Sequence, residues 1–243
     1  MKIGILKTDA VREEWVPDFG EYPDMFMAIL GAQDPSLEFT TYDVRHGEYP
    51  ASLDDEDAYL ITGSRHSVYE DLPWIPPLLA FLRELHAARK KVVGICFGHQ
   101  AVAEALGGRT AKADQGWGVG LHRHRFQERP RWFDDGDLEF PVLVSHQDQV
   151  MDNAESAQVL ASSEFCPNAV CQIGDHILTL QGHPEFVSDY SRAIMDFRRA
   201  MIGEEVYRDG VASLADAPET ARMAGWIVNF LRAEPQETGT ATA

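Results

Sequence analysis

The sequence is poor in cysteine, in long apolar runs and in positive charge, and each scarcity excludes something. Cys96, Cys166 and Cys171 are the only 3 cysteines in 243 residues. So sparse and odd a set excludes a disulfide framework and points to a reducing compartment. No apolar stretch approaches the ~18 residues that a membrane span needs. The run from Ile3 to Leu6 is cut short by Lys7, Thr8 and Asp9, well short of a secretory signal. A cytoplasmic protein that does not engage a membrane is therefore expected. Lysine and arginine total 21 against 39 acidic residues, a formal charge of −18, which repels a phosphate backbone. Nucleic acid is excluded as a partner. The one locally basic stretch, Arg123, Arg125, Arg129 and Arg131, is interrupted by Glu128 and Pro130 and reads as a solvated strand and loop face.

What remains is an ordinary globular composition, 44% hydrophobic and 25% charged, with no internal repeat. At about 150 residues per domain, this length suits one compact domain over residues 1–233. Residues 234–243 hold no large apolar side chain and read as a flexible tail. Short apolar runs at Lys2–Lys7, Ala58–Ile61 and Val92–Cys96, each bounded by polar or glycine residues, predict strands buried on both faces. Between them, Met25, Ile29 and Leu30, and then Leu78, Leu79, Leu82 and Leu85, recur at helical spacing. That alternation predicts an α/β fold, a mostly parallel central sheet with helices on both faces. Ligands then sit outside the carboxyl ends of the strands. From Trp117 to Leu180, short strands and tight turns predict a smaller mixed or antiparallel section. Two helices are expected to close the chain, one with Ser188 as N-cap and one with Pro218 in its first turn.

Two segments carry chemistry. Gly94-Ile95-Cys96-Phe97-Gly98 has the form G-x-nucleophile-x-G, a sharp strand-to-helix turn that exposes its middle side chain above the sheet. A helix N-terminus favours negative charge, and the Phe97 N–H is aimed where an oxyanion would form. A buried cysteine at a glycine-rich turn satisfies the pentapeptide equally well, so a second element must decide. That element is Gln181-Gly182-His183-Pro184-Glu185. A thiol nucleophile needs a base, and the base an orienting acceptor. On an extended segment His183 and Glu185 point to one side, and Pro184 keeps His183 out of helical conformations.

Together these segments resemble the class I glutamine amidotransferases, with Gly94-Ile95-Cys96-Phe97-Gly98-His99-Gln100 as the elbow and Gly182-His183-Pro184-Glu185 downstream. The resemblance extends to Thr62-Gly63-Ser64 after the third strand and to Ser145-His146-Gln147-Asp148. It implies the flavodoxin-like fold of that family and a catalytic triad of Cys96, His183 and Glu185. It further implies an oxyanion hole from Gly63 or Ser64 with Phe97, and substrate contacts from Gln100, Ser145 and His146. No cofactor or metal is implied. Many members carry Gly-Gly-Pro after the third strand. Gly63-Ser64-Arg65-His66-Ser67 is closer to a stand-alone subgroup resembling the glutaminase domain of GMP synthase.

The implied reaction is release of ammonia from the glutamine side chain through a Cys96 thioester, with a synthetase partner to accept it. The alternative is a γ-glutamyl peptide hydrolase on the same triad, and a third reading is a non-enzymatic binding or regulatory relative. The intact triad counts against the last. Between the first two, the wall of the pocket beyond the γ-carbonyl decides, and Arg65 to Trp74 are expected to form part of it. Cys166 and Cys171 lack a second pair at zinc spacing and read as structural. His122 and His124, alternating with Arg123 and Arg125, read as a solvated or interface face, and Trp132-Phe133 as packing.

Overall fold

A computed structural model describes residues 1–134 and 136–234. Of the expected tail, all but Glu234 lies outside the described residues. The first half alternates as its apolar runs demand: β1 (Lys2–Lys7), α1 (Val16–Phe19), α2 (Tyr22–Gln33), β2 (Glu38–Asp43), β3 (Ala58–Ile61), α3 (Ile75–Ala87), β4 (Lys91–Ile95) and α4 (Phe97–Ala105). The second half brings β5 (Arg109–Lys112), β6 (Gly118–Phe126), β7 (Glu139–His146), β8 (Asp148–Asp152), β9 (Ala157–Ser162), β10 (Val170–Ile173) and β11 (Ile177–Leu180). It ends with α5 (Ser188–Ile202), α6 (Glu204–Ser213) and α7 (Thr220–Arg232).

Nine strands form one sheet in the order β2-β1-β3-β4-β11-β10-β9-β6-β7, and β5 pairs with β8 separately. From β2 to β11 the neighbours are parallel, and from β11 to β7 they are antiparallel. The expected fold class is therefore found. Successive strand residues serve opposite layers. Leu60, Val93 and Ile95 pack with Phe26 and Leu30 of α2 and Trp226 and Ile227 of α7. Tyr59, Ile61 and Val92 pack on the other side with Leu78, Leu82 and Leu85 of α3 and Val102 of α4. Trp132 and Phe133 join the first layer, and the Trp132 indole donates to Gln172 Oε1 at 2.8 Å.

Three expectations need correction. Three helices close the chain, not two. The inner face of α6 packs Val206, Tyr207 and Val211 on Val119 but is interrupted by Gly210, placed where a Cβ would lie 2.7 Å from Val119 Cγ2. Ser188 is the first helical residue of α5 and Val187 precedes it as cap, while Pro218 lies ahead of the Glu219 cap of α7. The His122–His124 face is not solvated: His124 is 2% exposed. Alternate residues of β6 share a face, and this one is covered, with Phe165 on the His122 ring and Phe140 beside His124.

Burial leaves several imidazoles neutral. Desolvation pushes His99, His124 and His176 down to about 4, and His146 to about 3. Between pH 6.5 and about 4 the unfolded chain therefore takes up protons that the native state refuses. Stability accordingly falls as pH falls through that window, by up to about 1.4 kcal/mol per pH unit for each such histidine. Neither ring nitrogen of His124 has a partner among the described residues, so His124→Phe is expected to flatten this acid slope without loss of stability at pH 7. Urea unfolding at pH 7, 6 and 5 measures it. A slope equal to that of the wild-type chain would refute the assignment to His124.

Candidate active site

The elbow is built by close packing. A Cβ on Gly94 would stand 2.6 Å from the Gly98 carbonyl oxygen, and one on Gly98 equally close to the Ile61 carbonyl oxygen. Only glycines let α4 start this near β3 and β4. The chain therefore turns within one residue, and Cys96 takes φ 50°, ψ −97°. A non-glycine residue held there stores about 1–3 kcal/mol of strain. Phe97 opens α4, so its N–H has no carbonyl one turn back. The Cys96 thiol is 5% exposed and accepts a hydrogen bond from Gln181 Nε2 at 3.5 Å.

Strand β11 runs beside β4 with Leu180 opposite Ile95, and the segment leaving it delivers the second group. His183 donates its main-chain N–H to Leu143 O at 2.8 Å, and its ring stacks on Phe186 at 3.9 Å with planes 7° apart. Nδ1 of the imidazole pairs with Glu185 Oε1 at 2.8 Å. That leaves Nε2 free of the carboxylate. Burial alone would push this imidazole down, but the Glu185 carboxylate and the Cys96 sulfur outweigh it and hold it up at about 10.

The loop after β3 closes the third side. Thr8 Oγ1 donates to Gly63 O at 2.9 Å, Ser64 Oγ donates to Thr8 O at 3.1 Å, and Arg65 N donates to the buried Asp9 carboxylate at 2.8 Å. So anchored, Gly63 is pressed against the other two groups: a Cβ there would lie 2.8 Å from His183 Cε1 and 3.6 Å from Cys96 Cβ. Thiol, imidazole, carboxylate and the Gly63-Ser64 loop thus meet at one point, the arrangement of nucleophilic acyl chemistry.

A cleft of about 340 Å³ opens from Cys96. Ser64 to Ser67 line one side, Gln100 and Ser145 to Asp148 the floor, and Phe197, Arg198 and Met201 of α5 the other side. Of the expected wall Arg65–Trp74, only Arg65, His66 and Ser67 line it. Gln100 spends its amide N–H groups on Asp148 O at 3.0 Å and Gln181 Oε1 at 3.2 Å, leaving its oxygen to accept. His146 pairs through Nδ1 with Asp148 O at 3.1 Å. Ser145 Oγ accepts from Arg198 Nη1 at 3.0 Å. Of the expected site residues, Ser64, Cys96, Gln100, Ser145 and His146 line this cleft, while Gly63 and His183 lie against Cys96 and Glu185 behind His183. Cys166 and Cys171 lie apart from it, free and buried, their thiols pushed up to about 12 by burial.

Two contributors, Gln181 and Arg198, were not anticipated, whereas Asp148 lines the cleft as the Ser145–Asp148 resemblance implied. Gln181 touches the sulfur, and its place two residues before His183 was the available signal. The Asp148 carboxylate accepts from Ser67 Oγ and from Tyr69 OH at 3.0 Å. Arg198 enters from α5, and no local pattern marks it.

A model of the class I glutamine amidotransferase family matches residues 27–200. Gamma-glutamyl peptidase 3 of Arabidopsis thaliana is 35% identical over 187 residues, 73% of this chain and 74% of that protein. Gamma-glutamyl peptidase 2 of the same plant is 29% identical over 222 residues, 88% and 89% of the two chains. The crystal structure of a glutamine amidotransferase from Thermotoga maritima superposes with a TM-score of 0.72 over 94% of this chain and 96% of that one. At 18% identity this is a likeness of fold. With the family match running from α2 into α5 and taking in both chemical segments, the chain belongs to the class I glutamine amidotransferase family, as a glutamine amidotransferase-like hydrolase.

Proposed function

We propose that this protein hydrolyses the γ-amide bond of γ-glutamyl compounds and releases an amino acid or small peptide. The observation that carries this reading is the cleft. It continues past the thiol to Phe197 and Met201, 59% and 66% exposed, and so is not closed behind the reacting carbonyl. A volume of about 340 Å³ falls in the range of small-molecule sites and leaves room for a leaving group larger than ammonia. Two relatives named as gamma-glutamyl peptidases add support.

In this reading Cys96 Sγ attacks the γ-carbonyl carbon, and its proton passes to His183 Nε2. Glu185, on Nδ1, fixes the ring's orientation and offsets its charge. The oxyanion forms between the Phe97 N–H and that of Gly63 or Ser64. His183 then gives its proton to the departing nitrogen as the C–N bond breaks, leaving a glutamyl thioester on Cys96. Water, deprotonated by the same imidazole, attacks the thioester, and glutamate leaves as the thiol is restored. Gln100, Ser145 and His146 contact the glutamyl group. Glutamine follows the same steps with ammonia leaving, and its productive use would require a partner that accepts ammonia. A free thiol nucleophile suits a reducing compartment, and the cytoplasm is the proposed location.

The purified protein alone is expected to cleave a γ-glutamyl dipeptide at about the median enzyme rate of 10 per second or faster, and glutamine well below it. Parallel assays of released amino acid and ammonia measure both, and the opposite ranking would overturn the proposal. Cys96→Ser is expected to abolish both reactions with an unchanged circular dichroism spectrum. Gly63→Ala would press a methyl against His183, lowering kcat/KM by about 100-fold or more and stability by about 1–3 kcal/mol. Wild-type turnover in that variant would show that the seat of His183 is immaterial.

A further inference from the structure

Four arginines of the chain are not exposed. Arg12 faces Glu14 at 2.7 Å, Arg45 faces Asp43 at 2.6 Å, and Arg222 faces Asp134 at 2.8 Å and Glu219 at 2.7 Å. The fourth, Arg198, has no carboxylate partner among the described residues. In a chain with 39 acidic residues and 21 basic ones, such an omission has a physical cost, because a partly desolvated cation needs compensating charge. Arg198 is also held in place. Nη1 donates to Ser145 Oγ at 3.0 Å and the guanidinium lies 5.6 Å from the Trp117 ring centroid. Both neighbours line the same cleft as Cys96. Arg65, by contrast, lines that cleft but is neutralised by Asp9. On the Ser67 side of the cleft stands the Asp148 carboxylate, held by Ser67 and Tyr69. Lys112, also in the lining, is exposed and in register with Asp148 across the β5–β8 pair, so the cleft offers the Asp148 carboxylate and the partly buried Arg198 cation, groups that an amino acid zwitterion matches.

We infer that Arg198 is a specificity-determining residue that anchors a carboxylate of the substrate. This deepens the γ-glutamyl reading and rests on it. Two carboxylates present this chemistry: the α-carboxylate of the glutamyl group and the carboxylate of the departing amino acid. A guanidinium fork pairs with either bidentately, and Lys reproduces the charge but not the fork.

The test compares the wild-type chain, Arg198→Met and Arg198→Lys on γ-glutamyl-alanine, γ-glutamyl-ethylamide and glutamine. Arg198→Met is expected to raise KM by about 10- to 100-fold, as for loss of a charge-assisted hydrogen bond, with kcat little changed. Arg198→Lys is expected to fall between. A KM rise on γ-glutamyl-alanine alone assigns the leaving-group carboxylate, and an equal rise on all three assigns the α-carboxylate. KM shifts below about twofold on every substrate, or a loss confined to kcat, overturn the inference. Calorimetric binding of γ-glutamyl-alanine and glutamate to Cys96→Ala, with and without Arg198→Met, gives the same comparison free of turnover. A wild-type chain that cleaves only glutamine would sink the γ-glutamyl reading, yet the glutamine KM would still decide the role of Arg198.

Discussion

Strand β11 lies parallel to β4, and Cys96 N donates to Leu180 O at 2.8 Å just where both strands end. Elements leaving the carboxyl ends of adjacent parallel strands emerge side by side. On one strand the chain turns at once into α4, and on the other it continues extended through His183 to Glu185. This single pairing brings together groups 87 residues apart in sequence. The antiparallel section leads into it, since β9, β10 and β11 follow one another in sequence and pair as neighbours in the sheet.

Once the strands are paired, the site is held by contacts that leave its groups little freedom. Glycines at 94 and 98 seat α4 on β3 and β4, and the Thr8–Thr62–Ser64 hydrogen bonds tie the loop after β3 to the end of β1. Phe186 fixes the plane of the imidazole. The positive φ of Cys96 is paid for by this surrounding packing. The thiol, imidazole and carboxylate are thereby preorganised.

Electrostatics then separates histidines that composition cannot tell apart. His146 and His183 are both buried near the cleft, 4% and 5% exposed. Burial pushes His146 down to about 3, whereas His183 is held up at about 10. The difference is the Glu185 carboxylate and the Cys96 sulfur, which act on the His183 ring and not on that of His146. A neutral imidazole is suited to hydrogen bonding, and one whose charged form is stabilised to taking up the proton of a neighbouring thiol.

Local order by itself determined the strands at Lys2–Lys7 and Ala58–Ile61, the elbow at Cys96 and the same-side placement of His183 and Glu185. Each depends on residues within a few positions, through strand period, glycine clearance or the constraint of Pro184. What packs against a segment is not written in the segment. The burial of His124 depends on Phe140, helix α6 on the close approach of β6, and the contact of Gln181 with the thiol on the β4–β11 register. Arg198 reached the cleft only because α5 forms one side of it, and the extent of that cleft was decided by tertiary packing alone.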